Sequence, residues 1–185
     1  LQCARFLLKA VKQVQSKSST LTETVRYIGE TQSDKNKNIN VITPSGILSL
    51  LKMRARNLAW RLTEQYDQQK GGDKDEALNQ CAVIAVKAST AHVQQFMIEN
   101  NFKAINSFFT DDLAIHTIMM KLLMLHGLQL ISENAGDFVG IGSDVFLTSK
   151  VLSTVESRIN RLMDEIRPDA VSLVDSFGFV DTELK

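Results

Sequence analysis

"LAIHTIMMKLLMLHGLQLISENAGDF", residues 113–138, is the stretch on which the reading of this chain turns. From Leu113 to Ile131 it is long and apolar enough to suggest a bilayer span. His116, Lys121, His126 and Gln129 interrupt it, however, and each would be costly in lipid. The segment therefore reads as the buried central helix of a globular domain, with no membrane span. Thr110, Asp111 and Asp112 offer its N-terminal cap, and Gly136 is the natural breaker behind it.

Working outward, the same helical spacing recurs on both sides. Behind Pro44 and Ser45, Ile47, Leu48, Leu51, Ala55, Leu58, Leu62 and Tyr66 repeat every three or four residues, and "KGGDKDE" stops the run. Asp73 or Asp75 can cap the next helix. That helix is expected to be long, from about Ala77 to Asn100, with Leu78, Cys81, Ala82, Ala85, Ser89, His92, Val93 and Phe96 along its inner stripe. Val151, Val155, Ile159, Leu162 and Ile166 build another helix, capped by Thr148 or Ser149. Pro168 ends or kinks it ahead of a last short helix, Asp169 to Ser176. At the start, "LQCARFLLKAV" places Cys3, Ala4, Phe6, Leu7, Ala10, Val11 and Val14 on one side of an amphipathic helix, opposite Gln2, Arg5, Lys9, Lys12 and Ser16. That helix opens without a capping residue. Residues 16–43 turn polar, as a linker or large loop with a short helical piece near Leu21–Ile28. No run alternates long enough for a sheet. The reading is an all-α antiparallel helical bundle of four main helices, preceded by one helix that can belong to something else.

Composition narrows the function. An apolar share of 44% suits a globular chain, and 21 basic against 21 acidic residues leave no net field for a nucleic-acid partner. The charge is uneven: residues 1–70 carry 12 Lys/Arg against 5 Asp/Glu. Packing between the halves explains that more simply than an anion site. Cys3 and Cys81 sit among apolar neighbours and read as buried free thiols in a reducing, intracellular compartment.

Catalytic groups are scarce. His116 and His126 do not share a helix face, and neither has a second ligand one turn away, so no metal site is expected. No nucleophile elbow occurs. Gly140-x-Gly142 lacks the third glycine of a dinucleotide fingerprint and reads as a loop. Arg54, Arg56 and Arg61 read as a solvated or interdomain face, and Met119, Met120 and Met124 as core filling.

Several stretches carry a family likeness. "LQCARFLLKAVKQV" at 1–14, "VKASTAHVQQF" at 86–96, "LISENAGDFV" at 130–139 and "IRPDAVSLVDSFGFVD" at 166–181 together resemble, in order, the C-terminal region of peroxisomal acyl-CoA oxidases. The resemblance implies a flavoenzyme built of an N-terminal helical domain, a β domain and two C-terminal helical domains. A glutamate takes the α proton of acyl-CoA, the β hydrogen leaves as hydride to FAD, and oxygen regenerates the flavin with release of hydrogen peroxide. It implies that the glutamate lies just ahead of Leu1, so that no catalytic residue falls within this chain. Residues 1–15 would be the last helix of the first C-terminal domain, 16–45 a linker and 46–185 most of the second. FAD is expected in the intact parent and none in the isolated segment, which should be inactive alone.

The implied partners are the rest of the oxidase chain, acyl-CoA and a second subunit in a homodimer; the implied compartment is the peroxisome, with the targeting signal outside this segment. Some oxidases of the family bind a nucleotide near the dimer interface, for which His92 and Gln95 are the candidates here. Glu133, Asp137 and Asp175 lie in family-like motifs, with structural roles first: Asn134, Gly136 and Asp137 shape the turn after the central helix. Two other readings compete. One is a free-standing helical interaction module with a groove on its basic second helix. The other is an oxygen-independent acyl-CoA dehydrogenase relative, which shares the fold but not the long second helical domain.

Overall fold

The computed structural model describes residues 1–17, 21–30, 39–69, 73–138 and 148–178. The Gly71-Gly72 break, the "QSDKNKN" run and the Gly140-x-Gly142 loop lie outside these residues. The helices are α1 (Gln2–Ser16), α2 (Pro44–Gln68), α3 (Lys74–Gln80), α4 (Ala82–Phe108), α5 (Leu113–Glu133), α6 (Ser149–Ile166) and α7 (Ala170–Asp175). Single 3-10 segments fall at Glu23–Ile28, Ala135–Asp137 and Arg167–Asp169, and no strand occurs among the described residues.

Local chemistry sets most of the ends. Thr43 caps α2 by accepting from the Gly46 amide, with Pro44 behind it where a missing N–H costs nothing. Asp112 accepts from the amides of Ala114 and Ile115 and so is the cap among the three residues offered for α5. Thr148 accepts from Val151 and caps α6. Pro168 turns α6 into a 3-10 step that leads on to α7. The end of α5 differs from expectation: Gly136 adopts no left-handed conformation, and the helix closes instead through Asn134, whose side-chain amide donates to the Leu130 carbonyl at 2.8 Å.

The core consists of two apolar clusters strung along the same pair of helices. The first joins α1, the 3-10 segment Glu23–Ile28, the C-terminal half of α2 (Ala55, Leu58, Ala59, Leu62) and the N-terminal half of α4 (Ile84, Ala85, Ala88, Ala91). The second joins the N-terminal half of α2 (Ile47, Leu50, Leu51, Met53) to Ile98 and Ile105 of α4, and to α5 and α6. Opposite halves meet in each cluster, so α2 and α4 run antiparallel. Three alanines on the buried side of α4 allow the close approach. Trp60 Nε1 and Arg56 Nε both donate to the Ile28 carbonyl at 3.3 Å and fasten the 3-10 segment to α2.

Three helices depart from the pattern expected of them. The long helix expected from Ala77 is two, broken at Cys81, and its buried side is Ile84, Ala85, Ala88, Ala91, His92, Gln95 and Ile98, leaving Ala82, Val93 and Phe96 exposed. On α1, Phe6 faces outward. α5 is central only in its second half: Leu123, Gly127, Leu128, Leu130 and Ile131 are buried, whereas Leu113 and Ile115 are exposed. By length and composition α5 is apolar enough to cross a membrane, with a mean hydropathy of 1.4 and a third of its most apolar window buried. Both cysteines are free thiols, Cys81 buried and Cys3 partly so.

Gly127 lets α5 approach α2 closely, since a Cβ there would stand 2.5 Å from Ile47 Cγ2. Overpacking costs about 1–3 kcal/mol. Alanine returns at most about 1 kcal/mol of helix propensity over glycine. The Ile47 methyl sits on a β-branched carbon and has little room to turn away. Gly127→Ala is therefore expected to lower unfolding stability by about 1 kcal/mol in denaturant titration, and an unchanged midpoint would show that α5 shifts freely.

Candidate functional site

The most concentrated group of polar side chains in the interior is built around Arg54. Its guanidinium is 2% exposed and holds three side chains at once. Nε donates to Asp137 Oδ2 at 2.8 Å, one terminal nitrogen donates to Gln94 Oε1 at 2.6 Å, and the other donates to Asn134 Oδ1 at 2.7 Å. Asp137, 3% exposed, takes Lys87 on its second oxygen. α2 supplies the arginine, α4 the lysine and glutamine, and the turn after α5 the asparagine and aspartate. Burial pushes the Asp137 carboxyl up, but hydrogen bonds from Lys87 and Arg54, reinforced by their charges, outweigh it and hold the carboxyl below its ordinary value.

Arg54 was expected on a solvated or interdomain face; it is instead the most deeply buried charge here. Arg61 is exposed and Arg56 half-buried beside Trp60. Asp137 does shape the turn after α5, its amide donating to the Asn134 carbonyl at 2.8 Å. With both carboxylate oxygens engaged by cations, Asp137 has no spare basicity for proton transfer. The cluster is a lock between elements.

A second buried pair joins Tyr27 to α4. Its hydroxyl and His92 Nδ1 share a 2.9 Å hydrogen bond, and the His92 ring packs between Tyr27 and Phe6. Burial lowers the His92 pKa and, helped by nearby Cys3, raises that of Tyr27, so both are neutral near pH 7. Gln95, one turn further along α4, is 1% exposed and its Oε1 has no hydrogen-bond partner. Sequence reasoning singled out His92 and Gln95 but missed Tyr27, Gln94 and Lys87. Glu133 is exposed, as is Asp175 at the end of α7.

Open grooves lie on the surface of the described residues. One, of about 690 Å³, is lined by Gln15, Arg56, Trp60, Arg61, Glu64 and Gln68 among others. Another, of about 530 Å³, lies between α1 and α2 with Arg5, Lys9, Lys12 and Lys74 around Tyr66. Both are open to solvent, and Arg5 and Lys12 are already paired with Asp75 and Asp67. Neither has the enclosed shape that would shelter a reduced flavin ring. No group of three His, Cys, Asp or Glu side chains suited to a metal occurs among them.

This strand-free arrangement of helices is that of the all-α C-terminal domain of acyl-CoA oxidase structures. The family model described as acyl-CoA oxidase matches residues 43–185, and the chain belongs to that family. Peroxisomal acyl-coenzyme A oxidase 1 from Bos taurus is 30% identical and that from Homo sapiens 31%, each across the whole of this chain and 29% of the relative. Acyl-CoA oxidase-1 of Caenorhabditis elegans, solved with FAD and ATP, superposes with a TM-score of 0.84 at 26% identity, over 98% of this chain and 27% of that one. The chain thus spans less than a third of the length of these relatives.

The lock and the pair give separate expectations. Asp137→Asn leaves Arg54 buried without its counter-charge, which costs about 3–5 kcal/mol of stability. A carboxyl depressed in the folded state contributes stability above its unfolded value and loses it as pH falls. The native chain should accordingly weaken as pH drops below 3.8, and Asp137→Asn should flatten that part of the stability–pH curve measured by urea titration. Tyr27→Phe strands His92 Nδ1 in the interior and is expected to cost about 1–3 kcal/mol. Thermal unfolding that matches the native chain would show the bond to be dispensable.

Proposed function

We propose that these residues are the C-terminal helical part of an FAD-dependent acyl-CoA oxidase, which converts acyl-CoA and O2 to trans-2-enoyl-CoA and H2O2 in peroxisomal fatty-acid oxidation. The family match over residues 43–185 carries this reading. Within that enzyme, residues 1–15 close the first C-terminal helical domain, 16–45 form the linker and 46–185 belong to the second. The role is packing and homodimer formation rather than chemistry. That fits the interior: its buried carboxylate is neutralised and its buried histidine is engaged by Tyr27. The base and the flavin cradle then belong to parts of the parent outside these residues.

The nucleotide reading rests on the ATP bound by the C. elegans oxidase. Of the two candidates, Gln95 keeps an unpartnered buried oxygen, whereas His92 has its Nδ1 occupied. A nucleotide would reach Gln95 only after a rearrangement of α4 or its neighbours.

The test is direct. Purified alone, the 185-residue chain should be colourless and release no peroxide from acyl-CoA, while the full-length protein containing it should be yellow and active. Flavin absorbance together with peroxide release from the isolated chain would refute the assignment.

A further inference from the structure

Positive charge without a counter-charge collects at one end of the larger groove, where Arg56, Asn57, Trp60 and Arg61 succeed one another within two turns of α2. Arg56 is fixed there. Its Nε donates to the Ile28 carbonyl at 3.3 Å, and its guanidinium carbon lies 5.9 Å from the centre of the Trp60 ring. Its terminal nitrogens have no acceptor among the described residues. Burial works against the Arg56 charge more strongly than nearby Glu30 supports it. Arg61 is exposed and forms no hydrogen bond or ion pair among the described residues. Asn57, which also lines the groove, is 7% exposed, and its Nδ2 is sealed from solvent without an acceptor. Native interiors rarely leave a donor in that state.

We propose that this end of the groove binds a phosphate group carried by a small hydroxylated molecule whose body extends towards Glu64. A guanidinium presents a planar fork of N–H donors that matches phosphate oxygens, and here two such forks stand without a carboxylate partner. Asn57 completes the donor set. Its amide turns about a soft terminal torsion, and an arriving oxygen gives Nδ2 the acceptor that the interior withholds. The acidic lining sets the rest of the ligand. Asp67 is engaged by Lys12 at 3.5 Å, but Glu64, one turn beyond Trp60, has no partner among the described residues and is free to accept from hydroxyl groups. A carboxylate at that distance disfavours an anion that fills the groove and favours a ligand negative at one end only. The groove volume of about 690 Å³ admits such a molecule. Nothing in this assignment depends on the oxidase reading.

The full-length protein containing this chain would be titrated calorimetrically with sodium phosphate and, separately, with β-glycerophosphate, at fixed ionic strength and against a sodium chloride blank. Saturable binding of both is expected. Tighter binding of β-glycerophosphate identifies a phosphate ester as the ligand, and equal or tighter binding of inorganic phosphate identifies the free ion. Arg61→Gln alters an exposed side chain, so the unfolding midpoint should stay where it is while phosphate affinity falls about tenfold. Asn57→Asp sets a carboxylate against the phosphate and should abolish its binding. Glu64→Ala should weaken β-glycerophosphate and leave inorganic phosphate unchanged. Where Asn57→Asp fails to fold, Arg61→Gln decides alone. Phosphate binding that Arg61→Gln leaves intact lies elsewhere in the protein and overturns the site, as does a native protein that shows no saturable binding of either compound.

Discussion

The interior depends on one buried guanidinium. Arg54 lies between Met53, which belongs to one apolar cluster, and Ala55, which belongs to the other. On α4 its partner Gln94 lies at the corresponding change of cluster, between Ala91 and Ile98. A charge at such a seam must be satisfied or removed, because desolvation of an unpaired guanidinium exceeds what any neighbouring methyl group contributes. Asp137, Asn134 and Gln94 satisfy it only if α2, α4 and the end of α5 stand at one height and one rotation. Apolar packing alone tolerates sliding; three directional bonds from one planar group do not.

The legibility of each helix in the sequence depends on how one-sided it is. α6 buries one stripe and wets the other, so its extent and the burial of Val155, Leu162 and Ile166 could be read from spacing. The caps Asp112 and Thr148 were among the residues named, since a side-chain oxygen before an apolar run is a local signal. α4 was harder. With apolar residues on two sides its pattern has no single phase, and the stripe chosen from sequence mixed buried Ala85 and His92 with exposed Val93 and Phe96. The interruption at Cys81 left no mark, because no glycine or proline causes it.

The polar interior was illegible for a different reason. Arg54 meets its partners across 40, 80 and 83 residues of chain, and no local rule distinguishes a basic residue on a helix that faces water from one that faces a distant aspartate. The motif "ENAGDF" pointed to Asn134 and Asp137 as turn residues, which they are. Their second duty, receiving Arg54, needed the fold. Likewise His92 stood out as a candidate ligand-binding group, but only the fold supplies Tyr27, which holds the ring inside.

Stringing two clusters on one antiparallel pair has a further consequence. Neither end of the domain can loosen by itself, since fraying one cluster pulls on helices that the other cluster still grips, and the guanidinium at the waist must then lose bonds on both sides. Local opening is thereby penalised at every point along α2 and α4, and such a pair should come apart as a single cooperative unit. In the parent enzyme it would serve as a stiff strut: force applied at one end arrives at the other undiminished by any hinge between them.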